Sequence, residues 1–127
     1  MIISGLSAVK RIRPDNQRYL PEKILFLFPR QNIRTTEKQE EYKKRHDELW
    51  PEMRTALREH GVIDYSIYLD PSISLLFGYL VIEDEKLCEK MANTSINQKW
   101  WKYMEDIMET NPDASPVSWE LMPVFEL

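Results

Sequence analysis

Tyr42 and His46 stand four residues apart in the charged segment Glu41-Tyr42-Lys43-Lys44-Arg45-His46. At ~100° per residue on a helix, their side chains lie ~40° apart, on one face and one turn from each other. Trp50 continues the row. Imidazole is the common side chain that can both take and give a proton near pH 7. A histidine between a phenol and an apolar ring is therefore a candidate proton-transfer corner. The spacing alone equally allows a solvated histidine on a charged helix. Trp100 and Trp101 are adjacent, so on a helix their side chains diverge by ~100° and cannot share one core layer. One of them is expected to do something else. Flat indole faces suit the C–H surface of a sugar and leave the N–H for a hydroxyl; one core indole and one interface indole is the alternative. Tyr65 falls mid-strand on the more apolar face, where its hydroxyl needs a ligand or a core partner.

Other residues carry less. His46 and His60 are fourteen apart with no local metal motif between them, and His60 suits the negative end of a helix dipole. A single cysteine, Cys88, excludes an intrachain disulfide and a cysteine-rich zinc site, and fits a reducing, cytoplasmic setting. Phe77-Gly78-Tyr79-Leu80-Val81 loosely resembles the base-stacking strand of an RNA-recognition motif. Leu75 and Leu76, however, stand where that motif has a basic residue and a glycine.

Charge separates the chain into two parts. Residues 1–34 hold seven Lys or Arg against two acids, and residues 35–127 hold ten against nineteen, for a net −4. The acidic body would repel a phosphate backbone, so a nucleic-acid partner is not expected. No run approaches the length of a membrane span, and the opening MIISGLSAV lacks the cationic start of a secretory signal. No membrane partner is expected. The basic leader, residues 1–22, reads as an extension of uncertain order. It would be held only if Ile2, Ile3, Leu6 and Val9 find a groove.

The elements that must position the candidate residues follow from periodicity. Lys23 to Phe28 (KILFLF) predicts a strand closed by Pro29. Thr36, three residues before Gln39, has capping-box spacing at the head of a helix running to Leu49. Trp50-Pro51 breaks that helix and starts another, with Met53, Ala56 and Leu57 as its stripe and His60-Gly61 as its stop. Ile63, Tyr65, Ile67 and Leu69 alternate with polar residues in a strand ending at Asp70. Leu75 to Ile82 is a second strand, apolar on both faces. Helices over Glu83–Met91 and Asn97–Met108, a loop over Asn111–Pro116 and a strand from Val117 to Phe125 complete the chain. The order is βαββαβ, the split βαβ pattern of the ferredoxin-like α+β fold, within one domain over residues 23–127. Its helices cover one sheet face. The apolar second face predicts a homodimer.

Five strings together carry a more specific signal: Glu41 to His46, Leu49-Trp50-Pro51-Glu52, Asp64 to Asp70, Trp100-Trp101-Lys102-Tyr103-Met104, and Asn111 to Val117. In this order and spacing, from about Glu37 to Leu127, the chain resembles the L-rhamnose mutarotase family. The resemblance implies a dimeric α+β barrel of ferredoxin-like subunits that interconverts the α and β anomers of L-rhamnose or a related deoxy-sugar, with no metal and no organic cofactor. It implies His46 as proton donor and Tyr42, Tyr65, Trp100 and Trp101 as sugar contacts. A cofactor-less monooxygenase and a small-ligand sensor on the same barrel are the alternatives. The chain departs from the family at its front. Pro29 and the polar Arg30 to Arg34 stand where the family's first strand is expected, which implies that this strand is shifted to Lys23–Phe28 or shortened.

Overall fold

A computed structural model describes residues 22–28, 35–125 and 127. The expected leader therefore falls, apart from Glu22, outside the described residues, as does the segment 29–34. β1 is Glu22–Phe28, made from the apolar run that suits a strand. Helices α1 (Thr36–Asp47) and α2 (Pro51–Glu59) follow, then strands β2 (Val62–Asp70) and β3 (Leu75–Ile82). Next come a short α3 (Glu85–Glu89), a 3₁₀ turn (Lys90–Asn93), α4 (Ser95–Met104) and a three-residue β4 (Trp119–Leu121).

The four strands form one antiparallel sheet in the order β2-β3-β1-β4, which is the ferredoxin-like arrangement expected from the element order. β1 is central. It pairs with β3 from Glu22↔Ile82 to Phe28↔Leu76 and with β4 from Leu25↔Leu121 to Leu27↔Trp119. Period-two alternation then divides the sheet. Ile24, Phe26, Phe28, Leu76, Leu80 and Ile82 are buried in one cluster with Tyr42, Met53, Leu57, Trp100 and Met104 from the helices. Gly78 lies on this inner face, and its lack of a side chain admits the Phe26 ring; an added Cβ would sit 2.2 Å from it. On the outer face Leu25, Phe77 and Trp119 remain substantially exposed.

Several boundaries differ from the sequence expectation for identifiable reasons. The cap of α1 is Thr35, which has an extended backbone and accepts from the Lys38 N–H at 3.2 Å, so Thr36 is already helical. Thr94 caps α4 by accepting from the Asn97 N–H at 3.3 Å, starting that helix two residues earlier than expected, and the helix closes at Met104. Ile107 and Met108 are buried in the turns beyond it. In β2 a register shift between Val62 and Asp64 ejects Ile63 to the surface, so Val62 takes the inward position assigned to Ile63. β4 is shorter than Val117–Phe125 at both ends: the Val117 N–H donates to the Glu109 carbonyl at 3.1 Å instead of to the sheet, and Pro123 cannot donate to a ladder. The break at Trp50, with Pro51 opening α2, is as expected, and Gly61, at φ 80, turns the chain into β2.

Candidate functional site

α1 is so polar that Tyr42 is its one buried residue. The inward face that carries Tyr42 also carries His46 one turn later, half-buried. The His46 Nδ1 lies 2.9 Å from the Tyr42 carbonyl oxygen. A carbonyl only accepts, so this contact assigns the imidazole proton to Nδ1 and leaves Nε2 with a bare lone pair. Burial pushes the His46 pKa down from 6.5 to about 4, against the opposing pull of the Tyr42 carbonyl. The neutral ring is thus the resting form near pH 7. It stacks on Tyr42 at 4.3 Å with a 28° tilt and makes a T-shaped contact with Trp100 at 5.4 Å and 82°. Trp50 in turn meets Trp100 edge-on at 5.1 Å.

Between α1 and the edge strand β2 opens a cavity of about 630 Å³, lined by Tyr42, His46, Tyr65, Ile67 and Leu69, with Lys43 and Arg54 among its polar lining residues. This size falls in the range of small-molecule sites. A narrower inner cleft shares Tyr42, His46, Tyr65 and Ile67 and is lined as well by Trp100, Trp101, Met108 and Pro116. All five residues singled out from the sequence therefore converge. Tyr42, His46 and Tyr65 line both spaces, and the two tryptophans line the inner one. Burial pushes the hydroxyls of Tyr42 and Tyr65 well above the ordinary phenol range, so both are neutral donors at physiological pH.

The alternative of one core indole and one interface indole fails here. Trp100 and Trp101 are 1% and 4% exposed, so neither leaves the interior, although their side chains diverge. α4 finds cover in both directions. Trp100 packs on Trp50 and His46, and Trp101 lines the inner cleft with Phe28, Met108 and Pro116. Sequence reasoning also missed how the loop 111–116 is built. Asp113 accepts from the Ser115 N–H at 3.0 Å and from its hydroxyl, Asn111 Nδ2 donates to Ser115 Oγ at 3.0 Å, and Ala114 takes φ 69. The run of Asn, Asp and Ser was the available signal, and the loop it specifies leads directly into Pro116 of the cleft wall. Among the described residues, no three His, Cys, Asp or Glu gather where they could hold a metal, and no helix is long and apolar enough to cross a membrane.

The chain is similar to known proteins. The family model described as L-rhamnose mutarotase matches residues 30–127. The L-rhamnose mutarotase of Enterococcus faecalis is 66% identical over 87 residues, 68% of this chain and 84% of that protein. The crystal structure of L-rhamnose mutarotase from Formosa agariphila superposes with a TM-score of 0.72 at 39% identity, covering 84% of this chain and 98% of that one. A Mycobacterium tuberculosis protein of solved structure, 12% identical with a TM-score of 0.53 over 84% of this chain and 98% of its own, shares the fold alone. With the match running from residue 30 to the last residue, and including the helix, strand and loop that build the cavity, this chain belongs to the L-rhamnose mutarotase family.

Proposed function

We propose that the chain interconverts the α and β anomers of L-rhamnose in the cavity beside His46. The observation that carries this reading is the His46 ring itself. Its Nδ1 is fixed on the Tyr42 carbonyl and its Nε2 is left bare, and the ring lines both the cavity of about 630 Å³, which is large enough for a pyranose, and the narrow cleft behind it. Mutarotation needs one proton moved from the anomeric O1 to the ring oxygen. Nε2 takes the O1 proton as the C1=O1 bond forms and the bond from C1 to the ring oxygen breaks. The imidazolium then donates that proton to the ring oxygen, giving the open aldehyde. Rotation about C1–C2 and the reverse sequence close the ring on its other face. Atoms and protons balance, with neither redox chemistry nor a metal or organic cofactor required. Acid–base help of this kind is worth about 10² to 10⁴ in rate.

The sugar-contacting residues in this reading are Tyr42, Tyr65, Trp100 and Trp101. The apolar 6-methyl would sit toward the inner cleft beside the indoles, and the hydroxyls toward the tyrosines and the polar mouth. The working form would be a homodimer. The exposed Leu25, Phe77 and Trp119 of the outer sheet face give it an apolar surface that a second copy would cover. A cytoplasmic location is the reading that fits a single cysteine, Cys88, which leaves no intrachain disulfide to form.

Anomer-exchange NMR on L-rhamnose tests the reading. Wild-type protein should accelerate exchange, and His46→Ala should slow it at least ~10²-fold with the fold intact. Exchange by a folded His46→Ala variant at the wild-type rate would remove His46 from the mechanism.

A further inference from the structure

α1 carries His46 yet contributes one buried side chain of its own, Tyr42, to the core. A helix so lightly anchored by apolar packing needs another constraint to keep an imidazole in register with an indole on α4. The residue before His46 supplies one. The Arg45 side chain is 11% exposed, and its Nη1 donates to the Tyr103 carbonyl at 2.8 Å and to Asp106 Oδ1 at 2.8 Å. Nη2 donates to Asp106 Oδ2 at 3.1 Å and Nε to Glu41 Oε1 at 2.9 Å, while the guanidinium carbon lies 4.5 Å from the Tyr103 ring centroid. The Tyr103 carbonyl is in the last turn of α4, where no further helical N–H is available to it. Arg45 thus caps α4, forks onto the turn after it and lies over Tyr103, three residues from the Trp100 indole that makes a T-shaped contact with His46.

We propose that Arg45, acting through Asp106 and the Tyr103 carbonyl, is a positioning residue for His46: it fixes α1 against α4 so that the imidazole keeps its place between Tyr42 and Trp100. The inference rests on the role given to His46 above. A solvated ion pair would be worth little. This one is bidentate, its cation is largely withdrawn from water, and it joins residues 61 apart in sequence. The pairing is mutual: Arg45 holds the Asp106 carboxyl below the usual carboxylate range, and Asp106 raises the guanidinium. Arg45 touches no reacting atom. Its effect is on where Nε2 points, and a small misplacement of a proton-transfer group is costly in rate.

The test compares Arg45→Met, Arg45→Lys and Asp106→Asn in wild-type and His46→Ala backgrounds, by anomer-exchange NMR and by titration of the His46 ring protons. Arg45→Met should lower kcat by about 10- to 100-fold while KM stays within about threefold. Arg45→Lys should recover little of this loss, because an ammonium cannot make the fork. In the His46→Ala background the same Arg45 change should alter the remaining rate by less than about twofold, since it acts through a group already absent. The His46 titration in Arg45→Met should move up from about 4 toward 6.5 as the ring gains water. If Arg45→Met does not fold, Asp106→Asn, at an exposed acid, carries the same comparisons. A folded variant with wild-type kcat, or an equal loss in both backgrounds, overturns the inference. His46→Ala at the wild-type rate overturns the His46 reading and this inference together; a slow His46→Ala beside a fast Arg45→Met overturns this inference alone.

Discussion

Acidification between pH 7 and pH 4 probes the electrostatics of the site most directly. Folding lowers the His46 pKa from 6.5 to about 4, chiefly through burial against Tyr42 and Trp100. Between these two values the unfolded chain binds a proton at His46 that the folded chain refuses. His46 therefore contributes no penalty above about pH 6.5, a growing one as pH falls, and its full penalty below about pH 4. At ~1.4 kcal/mol per pH unit between the two pKa values, the full penalty is about 3 kcal/mol. In a chain of this size, that is a fall in melting temperature on the order of 10 °C. Carboxylates also titrate in this range, so the diagnostic quantity is the difference between wild type and His46→Ala, measured by thermal unfolding at successive pH values. That difference should shift in favour of the variant as pH falls to about 4. Anomer exchange, corrected for solvent catalysis, should hold through pH 5 and fall as Nε2 becomes protonated near pH 4. A His46 ring titrating between 6 and 7 by NMR, with a flat stability difference, would refute both the burial argument and the assignment of a neutral resting base.

Three further outcomes follow from particular contacts. Ser115→Ala removes the hydroxyl that joins Asn111 to Asp113, leaving the Asn111 amide short of a partner; it should cost about 1–3 kcal/mol in chemical denaturation. Tyr65→Phe removes a neutral donor from the cavity wall while keeping the ring against Phe26, and should raise KM by about 5- to 10-fold with little change in kcat. The protein should sediment as a dimer at micromolar concentration, and Phe77→Lys, placing a charge on the exposed outer face, should shift it to monomer; a monomeric wild type would contradict the sheet-face argument.

Much of this architecture was legible in the sequence because it depends on local periodicity. The period-two pattern of Leu75–Ile82 predicts a strand with two apolar faces, and the strand buries one face while leaving Phe77 on the other. The four-residue spacing of Tyr42 and His46 predicts one helical face, and their rings stack at 4.3 Å. Pro51 marks a helix start because a proline ring forbids only what a first turn does not need. The shifted first strand was readable from KILFLF, although it precedes the segment that the family model matches.

What the sequence did not determine are features settled by elements distant in the chain. The adjacent tryptophans left open whether one would lie at an interface, and only the packing of α4 covers both. Ile63 looked like part of the inward row until the pairing of β2 with β3 introduced a bulge that sends it outward. The neutral state of His46 depends on a desolvation that Tyr42 supplies from its own helix and Trp100 from across the fold. Arg45 was one cation among several in YKKRH, and nothing local distinguishes it from Lys44. Its role comes from Tyr103 and Asp106, about sixty residues away, which only the closed structure brings within 3 Å. Periodicity is local and is written into the chain, so it sets which residues share a face. Burial, pKa and bidentate pairing are properties of the space between faces, and they exist only once the sheet and helices have closed around it.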